Sequence, residues 1–134
     1  MKRLSGETLS SVRAGTKTPA YDRAATRIGF AHIGVGAFHR CHQAEYNEDA
    51  LEAGADDRTE IGVNLRPPSI EDQLAPQDGL YTRLLVEGEK TEARVIGSIR
   101  NVLDAERDHA AAVTALADHG IDVVTMTVTE KGYC

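Results

Sequence analysis

"HIGVGAFHRCHQ", His32 to Gln43, is the stretch on which the reading of this chain turns. It grows out of a short apolar run, Arg27 to Val35, that meets glycine the way a buried strand meets a tight turn. Gly34 and Gly36 stand where the first two glycines of the G-x-G-x-x-G pattern belong, and His39 stands where the third would fall. The three positions do different work. The first permits the turn from strand to helix, and the second lets the backbone come close to a pyrophosphate. The third serves mainly the packing of helix on strand. Losing only the third leaves Gly34, Gly36 and the amides of Ala37 and Phe38 to meet an anion. His39 is then expected to face either the cofactor or the strand.

Outward from this loop the pattern alternates. No proline or glycine interrupts Ala37 to Leu51, and Ala37, Cys41, Ala44 and Leu51 share a face, which predicts one helix stopped at Gly54. "TEIGVNL", Thr59 to Leu65, predicts a second strand that "RPPS" must end, because two prolines cannot continue a ladder. "LYTRLLVEGEKTEARVIGSI" alternates polar and apolar residues around "EGEK", a hairpin signature. A helix follows from Asp108, as N-cap, to His119, with Gly120 at C′, and "IDVVTMTVT", Ile121 to Thr129, is the last strand. Strand, helix, strand, hairpin, helix, strand is an α/β order: a mainly parallel sheet, flanking helices and an inserted hairpin. Residues 1–27 are polar and broken by Gly6, Gly15 and Pro19, a leader that packs on something else or stays loose. Residues 28–134 form the candidate dinucleotide-binding domain.

A dinucleotide site has a second diagnostic, an acid after the second strand that grips the adenosine ribose. That place reads "NLRPPS", with Arg66 and no acid before Glu71. An arginine there accommodates a 2′-phosphate and leans towards NADP, or it is a solvent-exposed loop arginine, so NAD and NADP both stay open. Arg40, in the first helical turn, opposes the helix dipole unless a pyrophosphate or a carboxylate compensates it; otherwise it is an ordinary exposed arginine. His39 and His42 lie one turn apart with Cys41 between, but no further ligands have matching spacing, so no metal site is assigned.

Composition removes other classes. The net charge is −6 with scattered basic residues, so the stripe that a nucleic acid would require is missing, and no nucleic-acid partner is expected. No apolar run approaches the roughly 20 residues of a membrane span. The opening "MKRLSGETLSSVRAGTKTP" has no apolar core of the signal-peptide kind, and a cytoplasmic location is expected. Cys41 and Cys134 read as two reduced thiols.

Five blocks in order, "HIGVGAFHRCHQAEY", "NLRPPS", "LAPQDGLYT", "RVIGSI" and "TVTEKGYC", resemble those of the polyol-specific long-chain dehydrogenases, from about Tyr21 to Cys134. That family includes mannitol 2-dehydrogenase, arabinitol dehydrogenase and fructuronate reductase (D-mannonate oxidoreductase). In it the glycine loop continues as Phe-x-Arg, so the missing third glycine is normal there. "QDGLYT" and "TEKGYC" look most like the fructuronate reductase and mannitol 2-dehydrogenase branches.

The resemblance implies a Rossmann-type domain for NAD or NADP. It also implies a metal-independent transfer of hydride between nicotinamide and a sugar alcohol or sugar acid, the small-molecule partner. Gly34, Gly36, Phe38 and Arg40 belong by resemblance to the dinucleotide site. Arg66 matches a position near the ribose, and Thr127 to Glu130, with Thr127 and Thr129, matches residues lining the cofactor cleft. The family's catalytic lysine lies in a C-terminal helical domain, and Lys131 belongs to the cofactor block instead. The expectation is therefore a truncated cofactor domain without catalytic residues, inactive alone and of unassigned oligomeric state. A stand-alone nucleotide-binding module without catalysis is the alternative. An S-adenosylmethionine-dependent methyltransferase ranks last, since neither "FAHIGVGAF" nor "GVNLRPP" carries the acid that fold uses.

Overall fold

In the computed structural model, which describes residues 2–129, the first apolar run becomes strand β1, Arg27–Ile33. The predicted helix after the glycine loop is two helices, α1 (Ala37–Cys41) and α2 (Gln43–Glu52), with a break at His42 (φ −126°, ψ −88°). The break has a local cause. The His42 ring donates through Nδ1 to the Phe38 carbonyl at 2.9 Å, the acceptor that a continuous helix would give to the His42 amide. That amide turns to the His39 carbonyl instead, at 3.3 Å.

Strand β2 (Arg58–Asn64) lies parallel to β1 and is followed by the short helix α3 (Glu71–Leu74). The hairpin forms where alternation predicts it, from β3 (Tyr81–Glu87) and β4 (Lys90–Ile96), with Gly88 at φ +59° in the turn. Sequence reading missed the next strand, β5 (Ile99–Asp104), which pairs parallel with β2. The chain leaves the hairpin at Gly97 and Ser98, where Ser98 Oγ donates to the Ala44 carbonyl at 2.6 Å.

Helix α4 (His109–Leu116) starts as predicted: Asp108 accepts from the Ala111 amide at 2.8 Å. It stops earlier than predicted. The cap is Ala117, and Gly120 is no left-handed C′; Asp118 builds the turn by accepting the Gly120 amide at 2.7 Å. Strand β6 (Val123–Met126) then pairs parallel with β1. Glu130, Lys131 and Cys134 lie outside the described residues.

The main sheet has the order β5-β2-β1-β6, all parallel, and β3–β4 is a separate two-stranded sheet. This is the α/β arrangement that the alternation predicts, with one more parallel strand. Val35, Ala44, Ile70, Leu74, Tyr81, Ile96, Ile99 and Val102 form the apolar core between sheet, α2, α3 and hairpin. Each such side chain contributes about 1.5–3 kcal/mol when taken fully out of water.

Of the two outcomes open to the leader, packing is the one observed. Lys17 bridges to β4 through its amide and carbonyl, Tyr21 donates to Glu48 at 2.8 Å, and Arg23 Nε donates to the Gly97 carbonyl at 3.0 Å. No helix among the described residues is long and apolar enough to cross a membrane.

Candidate functional site

Strand order reverses direction at β1: β2 and β5 build to one side and β6 to the other. In open α/β sheets ligands bind at such a switch point, outside the carboxyl ends of the strands. The glycine turn sits there. Gly34 has φ +98°, a conformation that favours glycine, and its amide donates to the Val63 carbonyl at 2.9 Å. A Cβ on Gly34 would stand 3.4 Å from the Thr127 Cβ, so the residue that follows β6 leans on the turn. Gly36 is extended, and no atom lies within 4 Å of where its Cβ would be. The space in front of that backbone is open.

Ala37 and Phe38 are exposed beside it, and the Phe38 ring stacks on His42 with centroids 4.3 Å apart. Arg40 is half-buried. Its Nε donates to the Gly36 carbonyl at 3.3 Å, and its guanidinium lies 5.9 Å from the centre of the Tyr81 ring. No carboxylate among the described residues pairs with Arg40. Tyr81 donates its hydroxyl to the Arg40 carbonyl at 2.5 Å.

His39 faces the strand, in the core, 1 % exposed. Its Nε2 is 2.7 Å from Glu60 Oε2, and Asn47 donates to the other Glu60 oxygen at 3.1 Å. The His39 ring also stacks on His32, with centroids 3.7 Å apart. His32 in turn places Nδ1 2.7 Å from the Thr125 hydroxyl and Nε2 2.9 Å from that of Thr127. Burial, with His39 beside it, lowers the His32 pKa to about 4, so this ring is neutral near pH 7. His39 and His42 do not share a face: one is in the core and the other exposed on the Phe38 carbonyl.

Residue reading did not find His32, Glu60, Asn47 or Thr125. One signal was present. "TEIGV" and "FAHIGV" each place an ionisable side chain in an apolar strand, where it must find a partner.

Arg66 is exposed beyond the carboxyl end of β2. It borders a cleft of about 240 Å³ together with Asn64, Ser69, Asp104 and Arg107. The carboxylate there is already engaged: Asp104 accepts from Ser69, from Asn64 Nδ2 at 3.1 Å and from the Glu71 amide at 3.4 Å. Burial pushes the Asp104 pKa up, but the bonds from Ser69 and Asn64 outweigh it and hold the group below the usual carboxylate range. Arg107 is taken by Asp72 at 2.9 Å, whereas Arg66 has no ion pair among the described residues. Thr127 rests on the turn, and Thr129 is exposed past the end of β6.

Fold, switch point and glycine turn together define a dinucleotide-binding domain of the doubly wound α/β class. The family model described as the mannitol dehydrogenase Rossmann domain matches residues 28–133, and the chain belongs to that family. Mannitol 2-dehydrogenase of Pyrenophora tritici-repentis is 40% identical over 134 residues, covering 98% of this chain and 24% of the relative. That of Cereibacter sphaeroides is 41% identical over 118 residues, covering 86% of this chain and 25% of the relative. Among solved structures, Pseudomonas fluorescens mannitol 2-dehydrogenase in a ternary complex with NAD and D-mannitol superposes with a TM-score of 0.90. It is 44% identical, over 98% of this chain and 27% of that one. A substrate-free D-sorbitol dehydrogenase gives 0.84 and 36%, over 98% and 28%. The chain thus spans about a quarter of the length of the relatives it matches.

Proposed function

We propose that this chain is the NAD(P)-binding portion of a cytoplasmic polyol dehydrogenase acting on a sugar alcohol of the mannitol type. The open backbone face at Gly36, set at the sheet's switch point, carries this reading, because a side chain there would fill the space a pyrophosphate needs. Gly34, Gly36 and the amides of Ala37 and Phe38 hold the pyrophosphate, and Arg40, free of any described carboxylate partner, adds positive charge beside it. Arg66 lies where the adenosine ribose would end, and its charge supports acceptance of a 2′-phosphate, hence NADP alongside NAD. Thr127 and Thr129 follow the strand that closes the other side of the crevice.

When bound, the nicotinamide accepts or gives the hydride. A base from outside the described residues takes the hydroxyl proton as the carbonyl forms, and the family resemblance supports doing so without metal. A sugar-acid substrate of the mannonate type is the finer alternative, resting on "QDGLYT" alone among the described residues.

The test is a fluorescence titration of the complete protein with NADH and NADPH, followed by oxidation assays with mannitol, sorbitol, arabinitol and mannonate. Gly36→Val fits the extended backbone but fills the open space, and should weaken dinucleotide binding about 100-fold, near 2.7 kcal/mol, with an unchanged melting temperature. Wild-type affinity in that variant would refute the assignment of the glycine turn.

A further inference from the structure

The cofactor reading requires the Gly34–Gly36 turn to be held in place, and the helix after it cannot do so alone. Helix α1 is one turn, five residues, cut off from α2 at His42, and so short a helix does not sustain itself in water. Where a third glycine is present, close packing of helix on strand does this job. Here the position holds an imidazole that enters the core.

The contacts of that imidazole form a closed circuit. His39 reaches Glu60 on β2 and stacks on His32 of β1; His32 holds the Thr127 hydroxyl; Thr127 rests on Gly34, back at the turn. Gln43 on α2 reinforces it by donating to the Thr125 hydroxyl at 3.0 Å, and Asn47 fixes Glu60 from the same helix. Packing alone would not select these groups. Replacing a buried polar or ionic pair by apolar residues of equal volume is often neutral or stabilising. What such a pair adds is direction.

We infer that His39 is a positioning residue for the dinucleotide: through Glu60 and His32 it sets where the glycine turn stands, doing by directed bonds what the third glycine does by packing. The inference rests on the cofactor reading above.

Three variants of the complete protein test the circuit, one conserving it and two opening it, with NADH and ADP affinity and melting temperature measured on each. His39→Gln keeps a nitrogen able to reach Glu60 and should bind both ligands within about threefold of the unaltered protein. The double change His39→Leu with Glu60→Met replaces the pair by an apolar one of similar volume. It should stay folded, less stable than His39→Gln because Asn47 loses its acceptor, and bind NADH and ADP about tenfold more weakly, the equivalent of one lost hydrogen bond of about 1.4 kcal/mol. Thr127→Val leaves the buried pair intact and breaks the circuit at the turn; a loss of about threefold is expected. A folded double variant with unaltered affinity would show that the pair is packing and nothing more, and would overturn the inference, as would a Thr127→Val protein that binds normally. Failure of the unaltered protein to bind either NADH or ADP would instead remove the cofactor reading, and this inference with it.

Discussion

Strand β1 has two neighbours, and they are held in different ways. On one side, Thr59 to Val63 of β2 are five consecutive buried residues, backed by β5 and the apolar core. On the other, no residue of β6 is fully buried: Val123, Val124 and Met126 are exposed, and Thr125 is half-buried. β6 is tied to β1 by its ladder and by threonine hydroxyls on His32, where β2 is held by removal of apolar surface from water. The glycine turn stands at the switch point between the two. Within the described residues, then, the β2 side is held by apolar burial and the β6 side by a ladder and hydroxyl bonds.

The largest effect should come from the stable side. Ile99 on β5 is fully buried in the core, and Ile99→Ala should destabilise the chain by about 3 kcal/mol through lost transfer energy and a residual cavity. Val124→Ala on β6, at a position 48% exposed, should cost less than about 1 kcal/mol. Urea denaturation of both variants in the same polypeptide checks the difference. Equal losses would break the comparison.

This asymmetry also governs what was legible beforehand. β1, the glycine turn, β2, the hairpin and the Asp108 cap could be read because each depends on neighbours in sequence: a period, a left-handed glycine, a side chain three residues from the amide it caps. β5 could not. Its buried Ile99, Val102 and Asp104 are mixed with Arg100 and Asn101, and only Gly97 and Ser98 separate it from the hairpin. The split of α1 from α2 depends on one ring competing for one carbonyl, which no periodicity records. In the site, Gly34 and Gly36 were legible as backbone chemistry. The partner of His39 was not, because Glu60 is twenty-one residues away and comes under α1 only through the register of β1 on β2. Asp104 was hidden likewise, its role depending on a strand that was missed.

A smaller effect tests the polar wall. The His32 pKa is near 4 in the folded chain against 6.5 for an ordinary histidine, so between these values the unfolded chain binds more protons than the folded one. Stability contributed by His32 is therefore present near pH 7, falls as pH drops from about 6.5 to about 4, and changes no further below that, a loss on the order of 1 kcal/mol. Glu48, whose carboxyl is held above its usual range by burial, works in the opposite direction. The informative quantity is the difference between the unaltered chain and His32→Gln, whose carboxamide keeps a donor and an acceptor for the two hydroxyls. Urea midpoints at pH 7 and pH 5 should drop less in the variant. An identical drop in both would mean that His32 does not carry the acid sensitivity of this side.

The smallest effect concerns Arg66, proposed above to meet the ligand just past the stable side. Arg66, at the end of β2, is exposed, and a contact between an exposed guanidinium and a ribose phosphate is worth only about 0.2–1 kcal/mol in water. Arg66→Ala should therefore lower NADPH affinity by no more than about fivefold and leave NADH affinity unchanged. The ratio of the two dissociation constants is the measurement, because any general damage to the crevice cancels in it. The change should shrink as salt rises, since an exposed pair is screened within a Debye length of about 10 Å at 0.1 M. A ratio that stays constant across this substitution and across salt would mean that Arg66 contributes nothing to cofactor choice.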